Sequence, residues 1–161
     1  MGGFFAVSLG GNLQNTRRAF ERALRLLRSN RNLTLTGRSP VLRTDPWEMV
    51  APAFHNQVLT GYSRIGAPGL WELLVRTERR ERRRGKGKLY PRTLDLDFLL
   101  FEGPLSPRKD LVLPHPRLKS RRELLGLLIS AKRSHRSALL RFAKKRKTAG
   151  ISSGRDRKKS L

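Results

Sequence analysis

Two carboxylates stand two positions apart in the segment P-R-T-L-D-L-D-F-L-L-F, which runs from Pro91 to Phe101. Side chains of a β-strand alternate between its faces, so Asp95 and Asp97 share one face while Leu94, Leu96 and Phe98 fall on the other. A strand this apolar is expected to be buried, and buried carboxylates are costly unless their charge is compensated. A hard divalent cation is the common compensation for two converging carboxylates. The alternative is a pair of surface acids on an edge strand, neutralised by neighbouring arginines. Position favours the first reading, because Arg92 lies just before Asp95 and a basic cluster with glycines, Arg76 to Lys88, precedes the strand. Carboxylates that hold Mg²⁺ beside cations that neutralise phosphate oxygens are the parts of a phosphoryl-transfer site. Arginine adds the option of gripping a phosphate with two parallel hydrogen bonds.

Two further groups of residues have chemical potential. His115, in L-P-H-P-R, is held between prolines on a stiff segment. A structural histidine and an aimed phosphate contact are both open to it. Phe54, Asn56 and Trp47 combine aromatic faces with an amide that donates and accepts, a set suited to a flat heterocycle with a mixed hydrogen-bonding edge. Read alone, Phe54 serves equally as a core residue and Asn56 as a loop end. With no cysteine and three scattered histidines, a zinc site is not expected.

The elements that must position these residues follow from periodicity. F-F-A-V-S-L, from Phe4, reads as a first strand running into the glycine turn G-G-N-L-Q-N-T, where Asn15 or Thr16 can cap a helix. From Arg17 to Ser29 the apolar residues recur at helical spacing with arginines opposite. A second strand is expected over Leu33–Leu42, interrupted near Ser39-Pro40, and then an irregular loop around Thr44 to Trp47 and Ala51-Pro52. Phe54 to Tyr62 alternates as a third strand, and Pro68 suits the first turn of a helix running to about Arg82. The diacid strand comes next, then a turn at Phe101–Pro104, a short extended piece L-V-L-P-H-P, and a helix over Arg121–Ile129. The order β-α-β-β-α-β predicts a ferredoxin-like α/β (α+β) fold, a mostly antiparallel sheet with both helices on one face and C-terminal additions. Such a fold is silent about chemistry.

Composition sets the frame. A chain of 161 residues fits one domain, here residues 1–131, followed by a basic, glycine- and serine-rich tail over 132–161 that is expected to be flexible. From Lys132 onward there are twelve lysines and arginines against the single acid Asp156. The net charge of +24 implies attraction to polyanions: nucleic acid, an anionic membrane or small phosphorylated ligands. No segment resembles a transmembrane span, and the opening Met1–Gly10 lacks the basic start of a signal peptide. The absence of cysteine excludes disulfides and fits a reducing cytosol, so a cytoplasmic location is expected, and a monomer is the default for a fold of this size.

Taken in order, V-S-L-G-G-N-L, R-T-D-P-W, P-R-T-L-D-L-D-F-L-L and L-P-H-P-R resemble the 6-hydroxymethyl-7,8-dihydropterin pyrophosphokinase family of folate biosynthesis, from about Ala6 to Leu128. The resemblance implies transfer of pyrophosphate from the cosubstrate ATP to the pterin hydroxymethyl oxygen, releasing AMP. It implies that Asp95 and Asp97 bind two Mg²⁺ ions that bridge the ATP phosphates, and that Arg92, His115 and Arg121 contact the nucleotide. Thr44, Pro46 and Trp47 match the pterin-pocket loop, Phe54 the aromatic that stacks on the pterin, and Asn56 the amide that reads its edge. In the basic loop, either Glu78 and Arg83 match the family's glutamate and catalytic arginine, or Glu81 and Lys86 do around Gly85; the first pairing is preferred. Whether Asp97 also acts as a base is left open by the residues.

The sequence also departs from the family pattern. Gly11 stands where the family has serine, Tyr90 where a glycine often precedes the P-R pair, and Glu123 where a second aromatic commonly sandwiches the pterin, a place that Leu124 could take. The competing classes are a nucleic-acid-binding module using the basic tail and helix faces, and a catalytically impaired homologue. The first accounts for the charge but not for a diacid that would repel a phosphate backbone in the absence of metal. The retained Asp95, Asp97, Arg92 and His115 argue against the second.

Overall fold

Apolar alternation and helical periodicity divide the chain as their spacing demands, in a computed structural model that describes residues 2–45, 52–81, 92–105 and 110–133. Strand β1 (Gly3–Gly11) is buried along nearly its whole length. Helix α1 (Thr16–Ser29) turns Ala19, Phe20, Ala23, Leu24 and Leu27 inward and its arginines outward. Strands β2 (Leu33–Arg38), β3 (Leu42–Thr44) and β4 (Phe54–Ser63) follow, then helix α2 (Ala67–Arg80) with its proline in the first turn, and β5 (Asp95–Glu102). A five-residue helix α3 (Pro116–Ser120) and a helix α4 over 122–133 complete the described chain.

The strands form one antiparallel sheet in the order β2-β4-β1-β5, with β3 pairing β4 beside β2. This is the expected ferredoxin-like arrangement. The interruption at Ser39-Pro40 is a jog between β2 and β3 along the same flank of β4. Ser39 bridges it: its N–H donates to the Val58 carbonyl at 2.9 Å, and its hydroxyl accepts from the Val58 N–H at 2.9 Å.

The sheet has two covered faces. On one, Phe5, Val7, Leu9, Leu59, Leu96 and Phe98 pack against α1 and α2. On the other, Ala6, Val58 and Leu99 pack against Leu124, Leu127, Leu128 and Ala131 of α4. A bulge between Ala6 and Val7 in the β1–β5 pairing lets Leu99 follow Asp95 and Asp97 onto the α4 face while Phe101 returns to the first core. The diacid therefore shares its sheet face with α4 and lies opposite α1 and α2.

Two local expectations are corrected. Neither Asn15 nor Thr16 caps α1 with its side chain; Asn15 is the N-cap without such a bond. The Thr16 hydroxyl instead accepts from the Leu13 N–H at 3.1 Å and closes the preceding turn. The C-terminal helix extends from 122 to 133, where Lys132 lies over the Phe4 ring, 4.9 Å from its centroid. The tail from residue 134 onward lies outside the described residues.

Candidate active site

Sheet register builds the centre of the site. Asn56 of β4 pairs Gly10 of β1, and Gly10 in turn pairs Asp95 of β5, so the three lie in a row across three strands. Asp97 follows in the next row, opposite Ser8. The middle position carries no side chain. A Cβ built on Gly10 would lie 3.4 Å from the Asn56 Oδ1 and 3.9 Å from the Asp95 Cβ, so its absence leaves a slot between amide and carboxylate.

Each carboxylate has its own cation. The Arg92 guanidinium lies 2.9 Å from Asp95, and the Arg117 guanidinium 3.5 Å from Asp97, with the His115 Nε2 at 4.0 Å on the same carboxylate. The Asp95 and Asp97 side chains are only 13% and 25% exposed. Burial and the neighbouring Asp95 charge push the Asp97 carboxyl above the usual carboxylate range, against the opposing pull of Arg117, His115 and Arg92. Two like charges that resist sharing a face fit a divalent cation. No group of three or more histidine, cysteine or acidic side chains arranged to hold a metal occurs among the described residues. Two carboxylates alone suit Mg²⁺, which is commonly held by one or two carboxylates with water and substrate phosphates as its other ligands.

Arg92 is fixed from behind. Its N–H donates to the Asn12 side-chain oxygen at 2.9 Å, and its carbonyl accepts from the Asn12 N–H at 3.0 Å. Its buried Nε has no hydrogen-bond partner among the described residues. Glu78, at the end of α2, accepts from the Leu96 N–H at 2.9 Å and so pins β5 between the two aspartates from the opposite face. Glu81 turns away to pair with Arg22 of α1. Of the two glutamates that could match the family's, Glu78 is the one bonded to the diacid strand.

His115 is aimed by its backbone. Its N–H donates to the Leu99 carbonyl at 2.8 Å, which ties the segment to β5. Its Nδ1 accepts from the Arg117 N–H at 3.2 Å, making the imidazole the N-cap of α3 and leaving the ring proton on Nε2, the nitrogen facing Asp97. Arg117 is the last residue of the L-P-H-P-R motif, but the sequence reading gave it no role: its aim at Asp97 depends on the short helix α3. Arg121 is exposed at the C-cap of α3 and makes no ion pair among the described residues.

At the β4 end of the row, the Asn56 amide nitrogen donates to the Thr44 hydroxyl at 3.0 Å, and Thr44 pairs Phe54 across β3 and β4. Thr44, Phe54 and Asn56 are thus brought together, whereas Pro46, Trp47 and Arg83 lie outside the described residues. Glu123 is exposed, and Leu124 is buried in the α4 core at 2% exposure, which removes Leu124 as a stacking partner. A cleft of about 1030 Å³ opens near the N-terminus of α1 beside Asn12, Arg43, His55 and Thr93; it reaches the Asn12 clamp but not the diacid.

Similarity to known proteins identifies the family. Residues 6–132 match the family model described as 7,8-dihydro-6-hydroxymethylpterin-pyrophosphokinase. The chain is 33% identical over 125 residues to a mitochondrial folate synthesis bifunctional protein of Arabidopsis thaliana, covering 76% of this chain and 22% of the relative. It is 31% identical over 137 residues to the folate synthesis bifunctional protein of Chlamydia caviae, covering 79% and 30%. It is 30% identical over 123 residues to the 2-amino-4-hydroxy-6-hydroxymethyldihydropteridine pyrophosphokinase of Bacillus subtilis, covering 76% and 74%. The match thus spans under a third of these two bifunctional relatives and about three quarters of the Bacillus protein.

Proposed function

The chain belongs to the 7,8-dihydro-6-hydroxymethylpterin-pyrophosphokinase family, and from that premise we propose that it transfers pyrophosphate from ATP to 6-hydroxymethyl-7,8-dihydropterin in folate biosynthesis. The bond formed joins the hydroxymethyl oxygen to the β-phosphorus; the bond broken joins that phosphorus to the oxygen bridging to the α-phosphate, and AMP leaves. The observation that carries this reading is the row Asn56–Gly10–Asp95. It sets an amide suited to a heterocycle edge in line with a carboxylate suited to a cation, with one strand between them.

Under this reading Phe54, Asn56 and Thr44 receive the pterin, with Pro46 and Trp47 from the adjoining loop. Asp95 and Asp97 would hold Mg²⁺, two ions in the full reading, and bound Mg²⁺ supplies neutralisation of the polyphosphate charge. The Arg92 guanidinium, beside Asp95, and the His115 Nε2–H, near Asp97, are donors for phosphate oxygens. Arg83 and Arg121 complete the nucleotide side; Glu78, expected there from the resemblance, instead holds the diacid strand from the opposite face through the Leu96 N–H. Catalysis is then positioning and charge neutralisation, the pattern expected for phosphoryl transfer. The same reading takes residues 1–131 as the enzyme domain of a cytoplasmic monomer. Among the described residues, no helix is long and apolar enough to cross a membrane.

The test is AMP release from ATP and Mg²⁺ with and without the hydroxymethyl-dihydropterin. Pterin-dependent AMP is the expected result. AMP release that ignores the pterin, or none in its presence, refutes the assignment.

A further inference from the structure

We propose that Arg117 is a polyphosphate-binding residue, the counterpart on the Asp97 side of Arg92 on the Asp95 side. The inference rests on the nucleotide reading of the site above. Among the described residues, each aspartate of the diacid meets one arginine, Arg92 at 2.9 Å and Arg117 at 3.5 Å. The two contacts differ in kind. The Arg92 distance is that of a charge-assisted hydrogen bond, whereas the Arg117 distance is well beyond the roughly 2.7–2.9 Å of such bonds. Arg117 therefore neutralises Asp97 without being locked to it.

Its backbone, by contrast, is held. The Arg117 N–H donates to His115 Nδ1, and the Arg117 carbonyl accepts from the Arg121 N–H at 3.0 Å, so α3 presents this guanidinium and the His115 Nε2 to the same carboxylate. The side chain is 30% exposed and carries five donors, of which the diacid engages one weakly. A guanidinium fixed at its root, loose at its tip and facing a carboxylate pair suited to a cation is set to take phosphate oxygens bidentately.

Binding of α,β-methylene-ATP in the presence of Mg²⁺, measured by calorimetry on the full chain, tests this in wild type, Arg117→Gln and Arg117→Lys. Loss of a charge-assisted contact is expected to weaken binding about tenfold in Arg117→Gln. Arg117→Lys should recover part of the loss. A role limited to neutralising Asp97 predicts something else, so Mn²⁺ binding without nucleotide is measured by electron paramagnetic resonance. That binding should be undiminished in Arg117→Gln, since a competing cation has been removed. Unchanged nucleotide affinity, or Mn²⁺ affinity falling in parallel, overturns the proposal. If the wild type itself binds no nucleotide, the pyrophosphokinase reading fails first and Arg117 with it.

Discussion

Asn12 and Arg92 hold each other by both backbone directions, with the Asn12 side chain accepting from the Arg92 N–H and the Asn12 N–H donating to the Arg92 carbonyl. Eighty positions separate them in sequence. The contact joins the glycine turn after β1 to the segment that leads into β5, so the loop chemistry of one element sets where the guanidinium of another emerges. Asn12 is 5% exposed, and an unmade hydrogen bond there could not be replaced cheaply by water.

Asn12→Ala is expected to lose about 1–3 kcal/mol of stability by orphaning the Arg92 N–H. It should also lower AMP formation about tenfold or more by misplacing the guanidinium. Asn12→Asp keeps an acceptor in the same place and should recover much of both losses. Denaturant unfolding and pterin-dependent turnover measure the two effects. A variant that is destabilised yet fully active would separate Asn12 from the placement of Arg92.

The glycine before it explains a departure from the family pattern. A Cβ on Gly11 would lie 2.5 Å from the Thr93 carbonyl oxygen, 2.7 Å from the Thr16 hydroxyl and 2.8 Å from the Thr16 methyl. Restoring the family's serine, Gly11→Ser, should therefore destabilise by about 1–3 kcal/mol through overpacking. Adding Thr16→Ala removes two of the three contacts and should return part of the loss. Thermal unfolding of the single and double variants decides it, and a neutral Gly11→Ser would show that the turn moves freely.

The diacid strand and the two long helices were legible because period-two and helical spacing have many residues behind them, and the β-α-β-β-α-β order of elements pointed to the antiparallel sheet with both helices on one face. Asp95, Asp97, Arg92 and His115 stood out by chemistry and converge in space. Arg117 was in view only as the last residue of L-P-H-P-R, with no role, because its approach to Asp97 depends on a short helix capped by a histidine. The meeting of Asn12 with Arg92 was also invisible, since nothing local to either residue encodes a partner so far along the chain. Either Asn15 or Thr16 could cap α1 on sequence grounds; neither side chain does, and the Thr16 hydroxyl closes the turn before the helix instead.

Glu123 stands exposed where the family has a stacking aromatic, and Leu124 is committed to the core with Ala6, Val58 and Leu99. Glu123→Phe is therefore expected to tighten pterin binding. An aromatic pair contributes about 0.5–1.5 kcal/mol, or roughly two- to tenfold in affinity. Fluorescence titration with the pterin reads it directly. No gain in affinity would mean that position 123 does not face the bound heterocycle.

Asp97 gives a prediction about stability that is independent of turnover. Its carboxyl lies above the ordinary value of 3.8, mainly through burial and then through Asp95. Between the unfolded and the raised folded value, the native state holds more protons than the unfolded one. Stability then falls as pH rises through that window and remains lower above it. Asp97→Asn abolishes the ionisation. In the presence of EDTA the variant should have a higher Tm than the wild type near neutral pH, and the difference should shrink as pH falls into the ordinary carboxylate range. Pterin-dependent AMP formation should be lost in the same variant. A lower neutral-pH Tm for Asp97→Asn would mean that Arg117 and His115 stabilise the carboxylate more than burial and Asp95 oppose it, reversing the sign on which the metal-binding character of this face depends.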